Sequence, residues 1–133
     1  MNIQEKLSKL YKECIEELKF INIDVQKNRT IEIKINKRSK KRYGCCKKIS
    51  KDRFQIEISE WVMDLNEDII KNTIIHELIH CMPKCNNHGE YFKNYAKVIN
   101  KKLGYNISRT GNNKQDFSKS NLEYIGKPIN FNY

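Results

Sequence analysis

All three histidines of the chain lie in one segment, HELIHCMPKCNNHGEYF, which spans residues 76–92. His76 and His80 are four residues apart, and on a helix this spacing places both imidazoles on one face, within reach of a single metal ion. Zinc accepts neutral imidazole nitrogen as a ligand. Glu77 lies about 100° further round the helix, so its carboxylate would flank the ion and take a proton from a water molecule there. The segment indicates a metal centre with a general base beside it.

The third histidine, His88, is separated from His80 by a turn that contains Pro83. The chain can fold back across this turn and complete the site. Three protein ligands leave a position for water and are typical of catalytic zinc, whereas structural zinc has four. Cys85 could supply that fourth ligand, while Cys81, about 100° round the helix from His80, points towards the core. Two alternatives therefore stay open: a structural zinc site closed by Cys85, and surface histidines without metal.

The helix that carries the HELIH motif has recognisable ends. Asp64 or Asn66 can cap its N-terminus, and acidic residues follow in its first turn, where the helix dipole favours them. Pro83 stops it. Its inward-facing stripe has four members: Ile70, Ile74, Leu78 and Cys81. This pattern predicts a helix that packs on the core and presents the histidines at its C-terminal end.

Two further helices are predicted on either side of the metal helix. Apolar residues recur at three- and four-residue steps over 2–20 and again over about 88–103. Asn86 or Asn87 can cap the second of these, and Gly104 suits the position just past its end.

Two segments alternate strictly between apolar and polar residues, as half-buried strands do. They are TIEIKIN at 30–36 and RFQIEIS at 53–59, and the connection between them can hold another short strand around Tyr43. The alternation predicts a small antiparallel sheet with one buried face. Together with the helices, it gives an α+β fold in one domain.

The composition limits where the protein acts. The chain has five cysteines, and an odd number without a secretory signal favours reduced thiols over a disulfide framework. No apolar run approaches the roughly 18 residues that a membrane span needs. We expect a soluble, cytoplasmic protein with no membrane partner.

The net charge of +10 is confined to one segment. Residues 27–53 contain twelve Lys or Arg and two acids, whereas the rest of the chain carries fourteen charges of each sign. A basic patch of this kind attracts phosphate groups. The candidate nucleic-acid contacts are Lys40, Lys41, Arg42, Lys47 and Lys48. A solvated lysine-rich hairpin, produced by compositional drift, is the alternative.

The sequence resembles the SprT-like zinc metallopeptidases, the family that includes Spartan. HELIH followed by HGEYF is similar to the family's HExxH, variable turn, His-Gly pair and aromatic at the start of the next helix. Upstream, YGCC at 43–46 resembles its aromatic-Gly-x-Cys element, and IEIS at 56–59 resembles its strand before the metal helix. Many relatives carry a four-cysteine zinc ribbon after the last helix, but no cysteine follows Cys85 here.

The resemblance implies an SprT-like domain over 1–105, with an irregular extension over 106–133 that includes one candidate strand. Its fold would be a compact zincin-like α+β domain in which a small sheet packs against the metal helix. Substrate would lie along the edge strand beside that helix.

The resemblance also implies roles for individual residues. One Zn²⁺ would be held by His76, His80 and His88, with Glu77 as the general base. Tyr43 and Tyr91 are candidates for oxyanion or substrate contact.

We therefore predict a zinc endopeptidase that acts on protein or peptide substrates. These would include proteins bound to DNA, to which residues 27–53 would bring the enzyme. The rival interpretation is a non-catalytic DNA-binding module that zinc stabilises. Glu77 argues against this rival, because a purely structural site has no need of a carboxylate beside the metal.

Overall fold

The computed structural model describes residues 2–108. It is an α+β structure, as predicted, with a three-stranded sheet and three α-helices. The elements in chain order are α1 (Ile3–Phe20), β1 (Thr30–Asn36), β2 (Gly44–Ser50), β3 (Arg53–Ser59), a 3-10 helix (Glu60–Asp64), α2 (Glu67–His80) and α3 (Glu90–Leu103). The metal-motif helix is α2, and the predicted helices that flank it are α1 and α3.

The sheet has the strand order β1-β3-β2. β2 runs antiparallel to β3, but β1 runs parallel to it. The prediction that residues 30–36 and 53–59 belong to an antiparallel sheet is therefore wrong for this pair. The reason is the connection 37–43, which reverses the chain and leaves space for one strand. The tight turn at 51–52 then directs β3 into that space, so that β3 runs in the same direction as β1.

The short strand expected around Tyr43 is present as β2, which begins one residue later at Gly44. There is no room for a side chain at this glycine. A Cβ atom built on it would lie 2.9 Å from the carbonyl oxygen of Glu57 and 3.4 Å from the Thr73 side chain on α2. Glycine thus allows the start of β2 to approach both β3 and the metal helix.

Helix α2 lies in the middle of the molecule and contacts α1, α3, β2 and β3. Its expected inward stripe is buried, but every residue from 73 to 80 is buried as well. The sheet covers one side of the helix and the other two helices cover the rest. The two metal-motif histidines and Glu77 are therefore core residues that happen to be polar.

The helix ends follow local rules, with one exception. Asn66 caps α2, and Gly104 ends α3 in the left-handed conformation (φ 76°). The predicted caps of α3, Asn86 and Asn87, are wrong, because Gly89 occupies the cap position. The side chain of Asn87 instead accepts a hydrogen bond from the Gly89 backbone N–H at 2.9 Å, which tightens the turn before the helix.

The predicted extension 106–133 begins within the described residues but lies mostly outside them, as does its candidate strand at 122–125. Ile107 is buried, and its backbone N–H donates to Asn100 Oδ1 at 2.7 Å. The chain therefore packs onto the core after α3 ends. Over the described residues, no helix combines the length and apolar character required to cross a membrane.

The cap of α2 gives a stability prediction. Asn66 Oδ1 accepts a hydrogen bond from the Ile69 N–H at 3.0 Å. Asn66→Ala should lower the free energy of unfolding by about 0.5–2 kcal/mol. Asn66→Asp should keep most of the wild-type free energy of unfolding, because a carboxylate retains the hydrogen-bond acceptor and interacts favourably with the helix dipole. Urea denaturation measures both, with Asp64→Ala as control for the other predicted cap. Equal losses at positions 64 and 66 would contradict the assignment.

Candidate metal centre

The structure brings the three histidines together. His76 and His80 project from the last turns of α2, and the turn after α2 returns the chain so that His88 lies beside them. Their candidate ligand nitrogens all lie within 4.8 Å of one another. Nε2 of His76 and Nε2 of His88 are 3.2 Å apart. Such convergence of ring nitrogens is the geometry that a single metal ion requires.

The hydrogen bond of His80 fixes which of its nitrogens can bind metal. Nδ1 lies 2.7 Å from the backbone carbonyl oxygen of Cys85. A carbonyl oxygen only accepts, so Nδ1 carries the proton and donates it. The lone pair of the neutral ring is then on Nε2, which is buried and has no hydrogen-bond partner within residues 2–108. Carbonyl partners of this kind orient metal-binding histidines.

Cys85 therefore contributes its backbone, and the open alternative of a thiolate ligand finds no support. Over residues 2–108, the cluster of His, Cys, Asp and Glu side chains able to hold a metal ion contains only His76, His80 and His88. Cys81 points away from that cluster. Its Sγ lies 3.7 Å from the Glu77 carbonyl oxygen and 3.6 Å from Sγ of Cys46 on β2.

The ring of Phe92 packs against all three imidazoles. Its ring centroid lies 4.7 Å from that of His76 and 4.9 Å from those of His80 and His88, and the side chain is fully buried. The sequence identified Phe92 only as a core residue of the last helix. Its position four residues after His88 was the available signal for a role at the site.

Glu77 is fully buried beside the cluster but is not a member of it. Among the described residues, neither of its carboxylate oxygens has a hydrogen-bond partner. Burial raises the pKa of this carboxyl well above its usual range, the Cys46 sulfur acts in the same direction, and the Arg42 guanidinium acts against both. Glu77 is thus buried next to His76 along α2, and within residues 2–108 its carboxylate makes no hydrogen bond.

Burial also keeps His76 and His80 in their neutral, metal-binding form. It lowers the pKa of His76 well below its usual value, with His80 and His88 adding to the effect. It lowers the pKa of His80 to about 4, although the hydrogen bond to the Cys85 carbonyl opposes this. Both rings are therefore neutral at pH 7, and neutral imidazole is the form that binds metal.

These residues fit a divalent metal ion. Three neutral imidazoles are a common ligand set, and they leave a coordination position open. In the part of the chain that the structure describes, the buried Nε2 of His80 and the carboxylate of Glu77 lack hydrogen-bond partners, which is costly for polar atoms away from water. A cation among the three nitrogens would compensate both.

The two candidate tyrosines have different surroundings. Tyr43 is 1% exposed, and its ring packs edge-on against Trp61 with centroids 4.7 Å apart. The structure thus places Tyr43 in the core and not at a surface that a substrate can reach. Tyr91 is 50% exposed and lies under the Lys84 ammonium, 5.1 Å from its ring centroid. Tyr91 remains accessible from the metal turn.

The candidate nucleic-acid contacts do not form one patch. Lys40, Lys41 and Arg42 are exposed in the connection between β1 and β2. Lys47 is paired with Glu57 on the outer face of the sheet, with Nζ to Oε2 at 3.1 Å. Lys48, on the opposite face of β2, lines a cleft near the metal turn. The basic segment is therefore divided among three locations.

The ligand set gives a second prediction. His76→Ala, His80→Ala and His88→Ala should each remove most bound divalent metal, because each deletes one of three donors. Cys85→Ala should retain the metal, since only the backbone of residue 85 contacts His80. Elemental analysis of the purified variants measures this, with circular dichroism to confirm folding. Full metal in His88→Ala together with loss in Cys85→Ala would show that the ligand set is wrong.

Comparison with known proteins agrees with this site. The sequence matches the SprT-like family over residues 4–111, a range that contains the three described strands and all three histidines. The structure is similar to the crystal structure of the metallopeptidase zymogen of Pyrococcus abyssi abylysin, with a TM-score of 0.46 and 19% identity over 77% of this chain and 99% of that chain. A likeness at this level is no basis for a functional argument. No curated protein matches the sequence. Because the family match covers most of the sequence, this chain belongs to the SprT-like family.

Proposed function

We propose that this protein is a zinc metallopeptidase that hydrolyses peptide bonds. Membership of the SprT-like family supports a function of the metallopeptidase type. The observation that carries the proposal is the combination of three converging imidazoles with a buried carboxylate, Glu77, that has no hydrogen-bond partner among the described residues. Domain boundaries of 1–105 for the catalytic domain and 106–133 for an extension belong to the same proposal.

The roles of the residues follow from their surroundings. His76, His80 and His88 would hold the zinc ion, which when bound would supply Lewis acidity that activates water and polarises a substrate carbonyl. Glu77 accepts a proton from the attacking water at a carboxylate oxygen and delivers it to the nitrogen of the leaving amine. The carbonyl of Cys85 keeps the His80 ring in one orientation, and Phe92 limits the movement of all three rings.

Strand β2 is our candidate for the surface that aligns the peptide. It pairs with β3 along one edge, and within the described residues no strand pairs with its other edge. Its Cys46 contacts Cys81 at the end of α2, so the free edge is held close to the metal helix. An extended peptide can add to such an edge through backbone hydrogen bonds. Tyr91, half exposed near the metal turn, is a candidate for a further substrate contact.

A non-catalytic zinc module is less consistent with the site. Burial of a carboxylate without a partner destabilises the fold, and a structural zinc site gains nothing from it. Gln or Leu at position 77 would serve a structural helix better. A fourth protein ligand that would close the coordination sphere is also lacking within residues 2–108.

The role of Glu77 gives a third prediction. Glu77→Gln should retain fold and metal but reduce turnover about 10²–10⁴-fold, because the change is nearly isosteric and removes the base. The control is Glu67→Gln, which alters an exposed carboxylate on the same helix and should leave turnover unchanged. Peptide hydrolysis with zinc-loaded protein measures both. Turnover in Glu77→Gln equal to that of the wild type would refute the assignment.

DNA-associated proteins are the finer substrate proposal, in a cytoplasmic setting consistent with five free cysteines. Its support is the confinement of the net charge to residues 27–53 and the exposure of Lys40 and Lys41. Such a surface should bind DNA weakly and without sequence preference, and its affinity should fall steeply with salt.

This gives a fourth prediction. Lys40→Gln with Lys41→Gln should weaken binding to labelled DNA and reduce the slope of log affinity against log salt by about one per lost contact. Lys97→Gln with Lys101→Gln removes the same charge from exposed positions on α3 and should have a smaller effect. Fluorescence titration at several salt concentrations measures the slopes. If both variants show the same slope, the charge of the basic segment reflects compositional drift and the segment is not a DNA-binding surface.

A further inference from the structure

A cleft lies beside the metal centre and is not used by the chemistry described so far. Its volume is about 720 Å³, and three segments form its walls: 22–29 after α1, the β2–β3 hairpin around 48–54, and the turn 80–86 after α2. His80, one of the three histidines, is among its lining residues. The cleft and the metal centre therefore share a wall, and a molecule held at one can extend into the other.

The cleft is positively charged. It is lined by two carboxylates, Asp24 and Asp52, and by five cations: Lys27, Arg29, Lys48, Lys51 and Lys84. Four of the twelve cations of residues 27–53 thus line a single concave space. Like charges in a cleft with low-dielectric walls reinforce one another's field and attract anions.

Most of these cations are not neutralised by the protein. Over residues 2–108, no ion pair joins Lys27, Lys48 or Lys51 to a carboxylate. The contrast is with Lys34 and Lys47 on the outer face of the sheet, which share the carboxylate of Glu57 at 4.0 and 3.1 Å. Within the described residues, no ion pair therefore offsets the charge that these lysines bring to the cleft beside the metal centre.

One cation is held rigidly in the wall. Nη1 of Arg29 donates to the backbone carbonyl of Val25 at 2.6 Å and to that of Lys27 at 3.3 Å. A guanidinium fixed in this way loses little conformational entropy when an anion binds. Lys48 and Lys51, on the hairpin opposite, are exposed and can move towards a ligand.

We propose that this cleft is a substrate subsite that selects acidic side chains, Asp or Glu, on one side of the peptide bond to be cleaved. The inference rests on the proposed peptidase function, because the shared wall at His80 makes the occupant of the cleft part of the molecule held at the metal centre. A volume of about 720 Å³ accommodates a few side chains. It is too small for a nucleic-acid duplex, which leaves single-stranded nucleic acid as the rival occupant.

The test measures binding independently of turnover. Zinc-loaded Glu77→Gln protein is titrated with fluorescent ten-residue peptides that differ only in carrying Glu or Gln at successive positions. The acidic peptides should bind roughly threefold to tenfold tighter, as a few exposed charge pairs provide, and the advantage should fall with salt. Lys48→Gln with Lys51→Gln should abolish the advantage. Lys97→Gln with Lys101→Gln should preserve it.

The outcomes separate the subsite from the peptidase function. If the acidic peptides bind no tighter than their Gln counterparts, or if both lysine pairs have equal effects, the subsite is refuted whether or not peptides are cleaved. If acidic peptides bind selectively but the wild-type enzyme cleaves none of them, the subsite stands and the peptidase function fails. If single-stranded DNA displaces the acidic peptides and binds more tightly through Lys48 and Lys51, the cleft is a nucleic-acid site and the proposal is overturned.

Discussion

The burial of α2 is the constraint on which the rest of the structure depends. A helix surrounded by a sheet and two other helices must bury every face of its C-terminal half, and here that half contains His76, Glu77 and His80. Polar groups removed from water need compensation. The Cys85 carbonyl accepts a hydrogen bond from one side of His80, but no group in the described chain forms a hydrogen bond with its Nε2 or with the Glu77 carboxylate. Metal binding and the stability of the fold are therefore coupled at this helix.

The parts of the site that depend on local geometry could be predicted from the sequence. Two histidines four residues apart share a helix face whatever the tertiary structure, so His76 and His80 needed only a helix. The same holds for Gly104, where the backbone is left-handed, and in part for the cap of α2, for which the sequence offered both Asp64 and Asn66 and the structure uses Asn66. His88 was predictable because the intervening turn is long enough to return the chain and contains Pro83, which prevents the helix from continuing.

Features that depend on distant partners could not be predicted. The alternation in β1 and β3 identifies each as a strand, but strand direction is fixed by the path of residues 37–43, which has no periodic signal. The hydrogen bond from His80 goes to a backbone carbonyl, a group that every residue has and that leaves no mark in the sequence. Asn87 is a residue type that favours helix caps, yet its side-chain oxygen accepts from the Gly89 N–H within the preceding turn. A helix cap and a turn of this kind use the same side-chain oxygen, so the residue type alone does not distinguish them.

The distribution of charge around the site is set by strand register more than by the number of lysines. Successive side chains on a strand point to opposite faces, so Cys46 and Lys48 share the face towards α2 while Lys47 points to the outer face. On the outer face, Lys47 forms an ion pair with the Glu57 carboxylate. Burial raises the pKa of Glu57, but hydrogen bonds from Lys47 and Asn36 outweigh it and the pKa is lowered overall. A slip of β2 by one residue would turn Lys47 towards the cleft and Lys48 towards the outer face. The register of β2 on β3 thus determines which positive charges face the metal centre, and a count of basic residues in the sequence contains no information about it.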